Sequence, residues 1–157
     1  MSRYLAPTMS LYLERLVDWK SLLSLRNGED VDPEAELGAF RTVLETVADL
    51  AESFEERARE NWADEAELTE DGGARPPAHI RDAYETLREN GLICLMVPEA
   101  YGGPDLPLLL NTMYLEILSR ADTSLMTVVG LQAGAAADIA AYGSEEVKPP
   151  VLPRLTS

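Results

Sequence analysis

The sequence predicts an all-α fold of at most six helices. Three observations carry that prediction. Apolar residues recur every three or four positions through most of the chain. Glycine and proline gather at a few points that divide these runs. No stretch shows the apolar–polar alternation of a half-buried strand.

Residues 4 to 25 carry Leu11, Leu13, Leu16, Val17, Trp19, Leu22, Leu23 and Leu25 at helical spacing. Pro7 gives a start signal and Asn27-Gly28 a stop. An acidic turn, Glu29 to Asp32, leads to Pro33, which suits a first helical turn. The next helix has the clearest period. Leu37, Phe40, Val43, Leu44, Val47, Leu50, Ala51 and Phe54 form one stripe, with charge opposite, to about Glu60. Residues 61 to 77 read as a polar loop, marked by Asp71-Gly72-Gly73 and Pro76-Pro77. Ile80, Ala83, Tyr84 and Leu87 make a third amphipathic helix, closed by Asn90-Gly91.

The stretch Gly91 to Pro107 punctuates rather than repeats. Its apolar run, Leu92 to Val97, must be buried and suits one short extended segment. Pro98 ends the run, and Gly102-Gly103-Pro104 forces a tight turn. A fourth helix starts behind Asp105 and carries Leu106, Leu109, Leu110, Met113, Tyr114, Ile117 and Leu118. Asp122 or Thr123 can cap a fifth. That helix, Ser124 to about Tyr142, is apolar nearly all round and is expected to be buried in a soluble protein. Gln132 and Asp138 interrupt it, which argues against a membrane span. Gly130, Ala133, Gly134, Ala137 and Ala141 allow close approach to its backbone. Ser144-Glu145-Glu146 begins a last helix, and Pro149, Pro150 and Pro153 argue against its continuing.

At 157 residues, 46% of them apolar, the chain can bury a core as one domain. Its net charge of −15, from 28 acidic and 13 basic residues, opposes nucleic acid and anionic membranes as partners. Cys94 is the only cysteine, so no internal disulfide forms. With no signal pattern in Met1 to Ser10, the expected location is the cytoplasm.

No catalytic constellation stands out. His79, the sole histidine, lies at a helix start in a polar context and reads as a surface or capping residue. A general base would need an orienting partner and a pocket. Cys94 in its apolar run reads as a small hydrophobe. The carboxylates from Glu52 to Glu67 form a solvated face. No Glu-x-x-His pair suggests a di-iron bundle, and no metal site is expected. Gly102-Gly103 lacks the partners of a phosphate loop.

Three pieces, in order, resemble the N-terminal helical domain of the acyl-CoA dehydrogenases. The first is Gly91-Leu92 through Val97-Pro98-Glu99-Ala100-Tyr101-Gly102-Gly103. The second is Glu116-Ile117-Leu118-Ser119-Arg120-Ala121-Asp122-Thr123-Ser124. The third is Tyr142-Gly143-Ser144-Glu145-Glu146-Val147-Lys148, followed by Leu152-Pro153-Arg154-Leu155. At the front, Tyr4-Leu5-Ala6-Pro7 and the leucine-rich helix behind it resemble the long-chain branch that includes the 3-methylmercaptopropionyl-CoA dehydrogenases.

The resemblance implies an orthogonal bundle of five to six helices over residues 33–157, with residues 1–32 as an N-terminal extension helix. It implies an FAD-dependent α,β-dehydrogenation of an acyl-CoA thioester. In the family a carboxylate removes the α-proton and the flavin takes the β-hydride. Carried onto this chain, Thr127, Gly130, Leu131 and Gly134 would wall the acyl pocket, and Tyr101, Gly102 and Gly103 would sit at its mouth. Helix packing and turn geometry are the plain alternatives for these positions. Val147 stands where the family has glutamine, and Pro149-Pro150 where it continues a helix. The family's middle β-barrel and C-terminal helical domains have no counterpart here. The chain is therefore expected to be a truncated piece, inactive and without tightly held FAD by itself, and no catalytic base is assigned. The alternative is a non-catalytic acidic helical module, or a decayed fragment. A homo-oligomer could form through its exposed apolar surface.

Overall fold

A computed structural model describes residues 2–5, 7–28 and 30–157. Ala6 of the front motif and Glu29 of the expected acidic turn lie outside the described residues. Among the described residues the fold is helical, as the sequence predicts. The elements are α1 (Pro7–Leu11), a π-helical turn (Tyr12–Leu16), α2 (Trp19–Asn27), α3 (Pro33–Glu60), α4 (Ala78–Glu89), a 3₁₀ turn (Glu99–Tyr101), α5 (Leu108–Ala121), α6 (Thr123–Tyr142) and α7 (Lys148–Thr156).

The single helix expected over 4 to 25 is divided. The Asp18 carboxylate accepts from the Ser21 backbone N–H at 3.1 Å and caps α2, so the chain breaks between Tyr12–Leu16 and Trp19. The Trp19 indole nitrogen donates to the Leu13 carbonyl at 2.7 Å and holds the two pieces together. Met9, Leu13, Trp19 and Leu23 join the main core against α3.

α3 is the spine. Asp32 caps it and Pro33 opens it. Its buried stripe, Phe40, Leu44, Val47, Ala48, Ala51 and Phe54, meets α4 and α5. The loop after α3 holds a feature the sequence did not announce. Glu67–Leu68 (β1) and Ala74–Arg75 (β2) pair antiparallel around Asp71-Gly72-Gly73, where the Asp71 carboxylate accepts from the Gly73 N–H at 3.2 Å. Two residues per strand are too few to show an alternation.

α4 ends in a glycine cap. Gly91 takes φ +67°, its N–H donates to Arg88 O at 3.0 Å, and the Leu92 N–H donates to Leu87 O at 2.9 Å. The apolar run that follows is buried as expected but is not extended. It coils through turns, with Cys94 at φ +52°, and the Leu106 N–H closes the loop onto Leu95 O at 2.7 Å. Ion pairing of Arg26 with Asp105, at 2.6 Å, ties this loop to α2. α5 therefore starts at Leu108 behind Pro107, later than Asp105 suggested.

α5 is the most enclosed helix. Leu110, Met113, Tyr114, Ile117 and Leu118 are buried, and the Tyr114 hydroxyl donates to Leu92 O at 2.6 Å. Burial, then the nearby Cys94 and Tyr84 groups, push the Tyr114 pKa well above the ordinary phenol range. One residue, Asp122, separates α5 from α6. Its Oδ1 accepts from the N–H groups of Ser124 (2.8 Å) and Leu125 (3.1 Å). α7 does form, against the expectation from its prolines. Glu145–Val147 is a turn, Pro149 and Pro150 fall in the first helical turn where no intrahelical N–H is needed, and Leu152 is buried. Pro153, inside the helix, is tolerated on the exposed side.

Candidate functional site

α6 is long and apolar enough to cross a membrane, with a mean hydropathy of 1.3. The sequence predicts a buried helix, apolar nearly all round, and the structure buries only one side of it. Leu125, Val129, Ala133 and Ala136 face the bundle, where α5, α4 and α7 pack. Thr127, Val128, Leu131, Gly134, Ala135 and Asp138 face out. Successive residues turn by about 100°, so these two sets occupy opposite sides. Large apolar groups lie on the open side too: Leu131 is 72% exposed and Val128 41%.

Thr127, Leu131 and Gly134 thus share one stripe. The Thr127 hydroxyl donates to Thr123 O at 2.8 Å, so its polar end is satisfied within the helix. A Cβ built on Gly134 meets nothing within 4 Å, so this glycine leaves a shallow, unfilled place in the face. Gly130 lies to the side, where a Cβ would touch Leu115 at 3.6 Å, an ordinary packing distance.

The other expected residues belong to the loop between α4 and α5. Tyr101 packs with a small cluster formed by Cys94, Val97, Ala136 and Leu152, together with Ile139, Ala140 and Leu155. The loop therefore meets the C-terminal half of α6, beyond the stripe of Thr127, Leu131 and Gly134. Its carbonyl accepts from the Thr156 hydroxyl at 3.5 Å. Gly102 has φ +84°, and Gly103 is a steric requirement: a Cβ there would fall 2.1 Å from Val97 O. Both glycines are needed by the backbone.

Two polar arrangements had no clear signal in the sequence. Gln132, at the margin of the α6 open face, accepts from the Tyr84 hydroxyl (2.8 Å) and donates through Nε2 to Leu155 O (2.9 Å). With Tyr84 and Val128 it lines a cavity of about 530 Å³ between α4 and α6. Its only sequence signal is a carboxamide inside an apolar run. The second is His79, which is not a surface residue. Its side chain is 11% exposed, Nε2 lies 3.8 Å from Asp122 Oδ2, and Nδ1 is buried without a partner. The turn at Pro76-Pro77 aims the start of α4 at the α5–α6 corner. There His79, Glu55, Trp62 and Asp122 line a cavity of about 570 Å³. At 3.8 Å the imidazole and carboxylate are too far apart for a hydrogen bond.

Cys94 packs in the small cluster, 2% exposed, and burial raises its thiol pKa. It is inert by environment. Among the described residues no three of His, Cys, Asp and Glu converge as a metal site. α6 carries a single charge, on Asp138, and no cation that could hold a diphosphate. Its open face is largely apolar and offers no cation for a flavin diphosphate.

A comparison with curated proteins gave no match. The family model described as "Acyl-CoA dehydrogenase, N-terminal domain" matches residues 44–157, which takes in most of α3 and everything after it. The match spans the loop, the α5–α6 corner and α7, so the chain belongs to the acyl-CoA dehydrogenase family, of which it carries the N-terminal domain.

Proposed function

We propose that this chain supplies the N-terminal wall of an FAD-dependent acyl-CoA dehydrogenase, an oxidoreductase of the CH–CH bond of acyl-CoA thioesters. The observation that carries this reading is the open apolar face of α6 within a matched family domain. A dry, apolar wall suits an acyl chain, and excluding water favours proton removal beside a thioester carbonyl. Thr127, Leu131 and Gly134 form the wall, with Gly130 at its edge, and Tyr101, Gly102 and Gly103 shape the loop at its far end. The flavin, which supplies the redox chemistry when bound, and the catalytic base are contributed by other domains. The chain alone neither retains FAD nor turns over. Residues 1–32 are an N-terminal extension, as the resemblance to the long-chain branch implies, and the enzyme works in the cytoplasm.

Two measurements test this. The purified chain should show no flavin absorbance and no dye-linked oxidation of acyl-CoA; stoichiometric FAD with turnover overturns the division of labour. Adding a long-chain acyl-CoA should shift the amide signals of Thr127, Leu131 and Gly134 and leave those of α3 in place. Shifts spread evenly over the chain, or none, remove the wall assignment. A second reading treats the same face, with Tyr142 also exposed, as an association surface of a non-catalytic module. Light scattering that finds a clean monomer weakens it.

A further inference from the structure

Apolar burial does not decide which way α6 faces. The helix is apolar nearly all round: it buries Leu125, Val129, Ala133 and Ala136 and leaves Leu131 and Val128 outside. Turning it by one residue, about 100°, would bring Leu131 and Val128 inward and carry Val129 and Ala133 out, an exchange of similar side chains. The N-terminal end is pinned by the one-residue connection and cap at Asp122. The remaining two-thirds of the helix needs another constraint.

Gln132 is the polar side chain placed to give it. It sits at the margin between the two faces, and both ends of its carboxamide are engaged by different elements. Tyr84 of α4 donates to Oε1 at 2.8 Å, and Nε2 donates to the Leu155 carbonyl of α7 at 2.9 Å. A rotated α6 would carry the carboxamide away and strand the Tyr84 hydroxyl and the Leu155 carbonyl, both partly buried. Paired polar groups at buried positions fix register in this way, because the alternatives leave them unsatisfied. We infer that Gln132 is the positioning residue that sets the rotation of α6, and so selects which side chains form its open face. That this face is an acyl wall rests on the proposed function; the rotation is a property of this chain alone.

The test uses a single reporter thiol in a Cys94→Ala background. Ala135→Cys reports the open side and Ala133→Cys the packed side, and each is alkylated by a maleimide with Gln132 present or replaced by leucine. With Gln132, position 135 reacts fast and position 133 slowly. In Gln132→Leu, with helix content retained, the rate at 135 should fall at least about twofold, as it would once half the molecules hold the turned helix. The rate at 133 should rise. A slower 135 is the decisive sign, because a merely loosened bundle exposes 133 without protecting 135. An unchanged rate at 135 overturns the inference, whatever 133 does. Should Gln132→Leu not fold, Tyr84→Phe removes the phenolic donor alone and is read by the same rule. Neither rate involves flavin or thioester, so this result and the acyl-CoA result can fail separately.

Discussion

The two apolar clusters of this domain are held by different physics. The larger one packs side-chain volume: Trp19, Phe40, Leu44, Leu87, Tyr114, Leu118 and their neighbours, drawn from α1 to α6. The smaller one has only Cys94, Val97, Ala136 and Leu152 fully enclosed. It depends on backbone approach at Gly103 and on polar ties from Gln132 to Leu155 and from Thr156 to Tyr101. α6 contributes to both, Leu125 and Val129 to one and Ala136 to the other. The large cluster should therefore suffer most when atoms are removed, and the small one when atoms are added.

The largest effect is expected at Phe40. It is 1% exposed and packs against Trp19 with ring centroids 5.4 Å apart, joining the N-terminal segment to α3. Phe40→Ala should cost about 3–5 kcal/mol in urea or thermal unfolding. A loss below about 1 kcal/mol would mean that the segment before α3 is not part of one core.

Gly103→Ala is the matching experiment in the small cluster. One methyl, 2.1 Å from Val97 O, cannot be placed without moving the loop. The expected cost is about 1–3 kcal/mol, with faster amide exchange at Leu95 and Val97 than in α3. If Gly103→Ala is neutral, the two clusters do not differ as claimed.

The same contrast decides what the sequence made legible. α3 could be read because volume packing leaves a 3.6-residue stripe, and Asp32-Pro33 marks its start. Glycine and proline located the loop at Gly102-Gly103, but the coil of Leu92–Val97 was hidden: a short apolar run is compatible with strand, helix or turn. The break at Asp18 was hidden for a related reason. Apolar periodicity continues across it, and only the contact with Ser21 shows the cap. α7 was underestimated because the prolines count against a helix interior, whereas two of them fall in its first turn. For the candidate site, Thr127, Leu131 and Gly134 came from resemblance, not periodicity, since α6 is apolar nearly all round. The pairing of Gln132 and the approach of His79 to Asp122 are long-range contacts that no local pattern encodes.

A smaller, local effect is expected where the chain's start meets the large cluster. The Tyr4 hydroxyl donates to Glu55 at 2.5 Å, and the Arg120 guanidinium lies 5.3 Å from the ring centroid. Burial first, then the bond to the Glu55 carboxylate, raises the Tyr4 pKa from 10.0 to about 12. The raised value means the neutral phenol is the form the fold prefers. Its contribution is whole below pH 10 and is lost as the pH rises through 12. An absorbance titration should show a tyrosine near pH 12, earlier than Tyr114, that is missing in Tyr4→Phe, and the Tm gap between the two chains should close from pH 10 to 12. A gap that is constant over this interval would show that Glu55 does not hold the hydroxyl.

The smallest effect on stability is expected at Leu131, and it is the most informative about function. Exposed at 72%, it lies outside both clusters. Leu131→Ser should change the unfolding free energy by no more than about 0.5 kcal/mol. A loss beyond about 2 kcal/mol would place the residue inside a packed interface and close the face that the proposed function needs open. With the fold unchanged, the acyl-CoA-induced shifts at Thr127 and Gly134 should weaken, because a hydroxymethyl group offers the alkyl chain less apolar area. A residue that costs nothing to polarise in the fold, yet weakens the response to an acyl chain, is exposed for use. Neither cluster could produce that combination, since every side chain in them is already spent on packing.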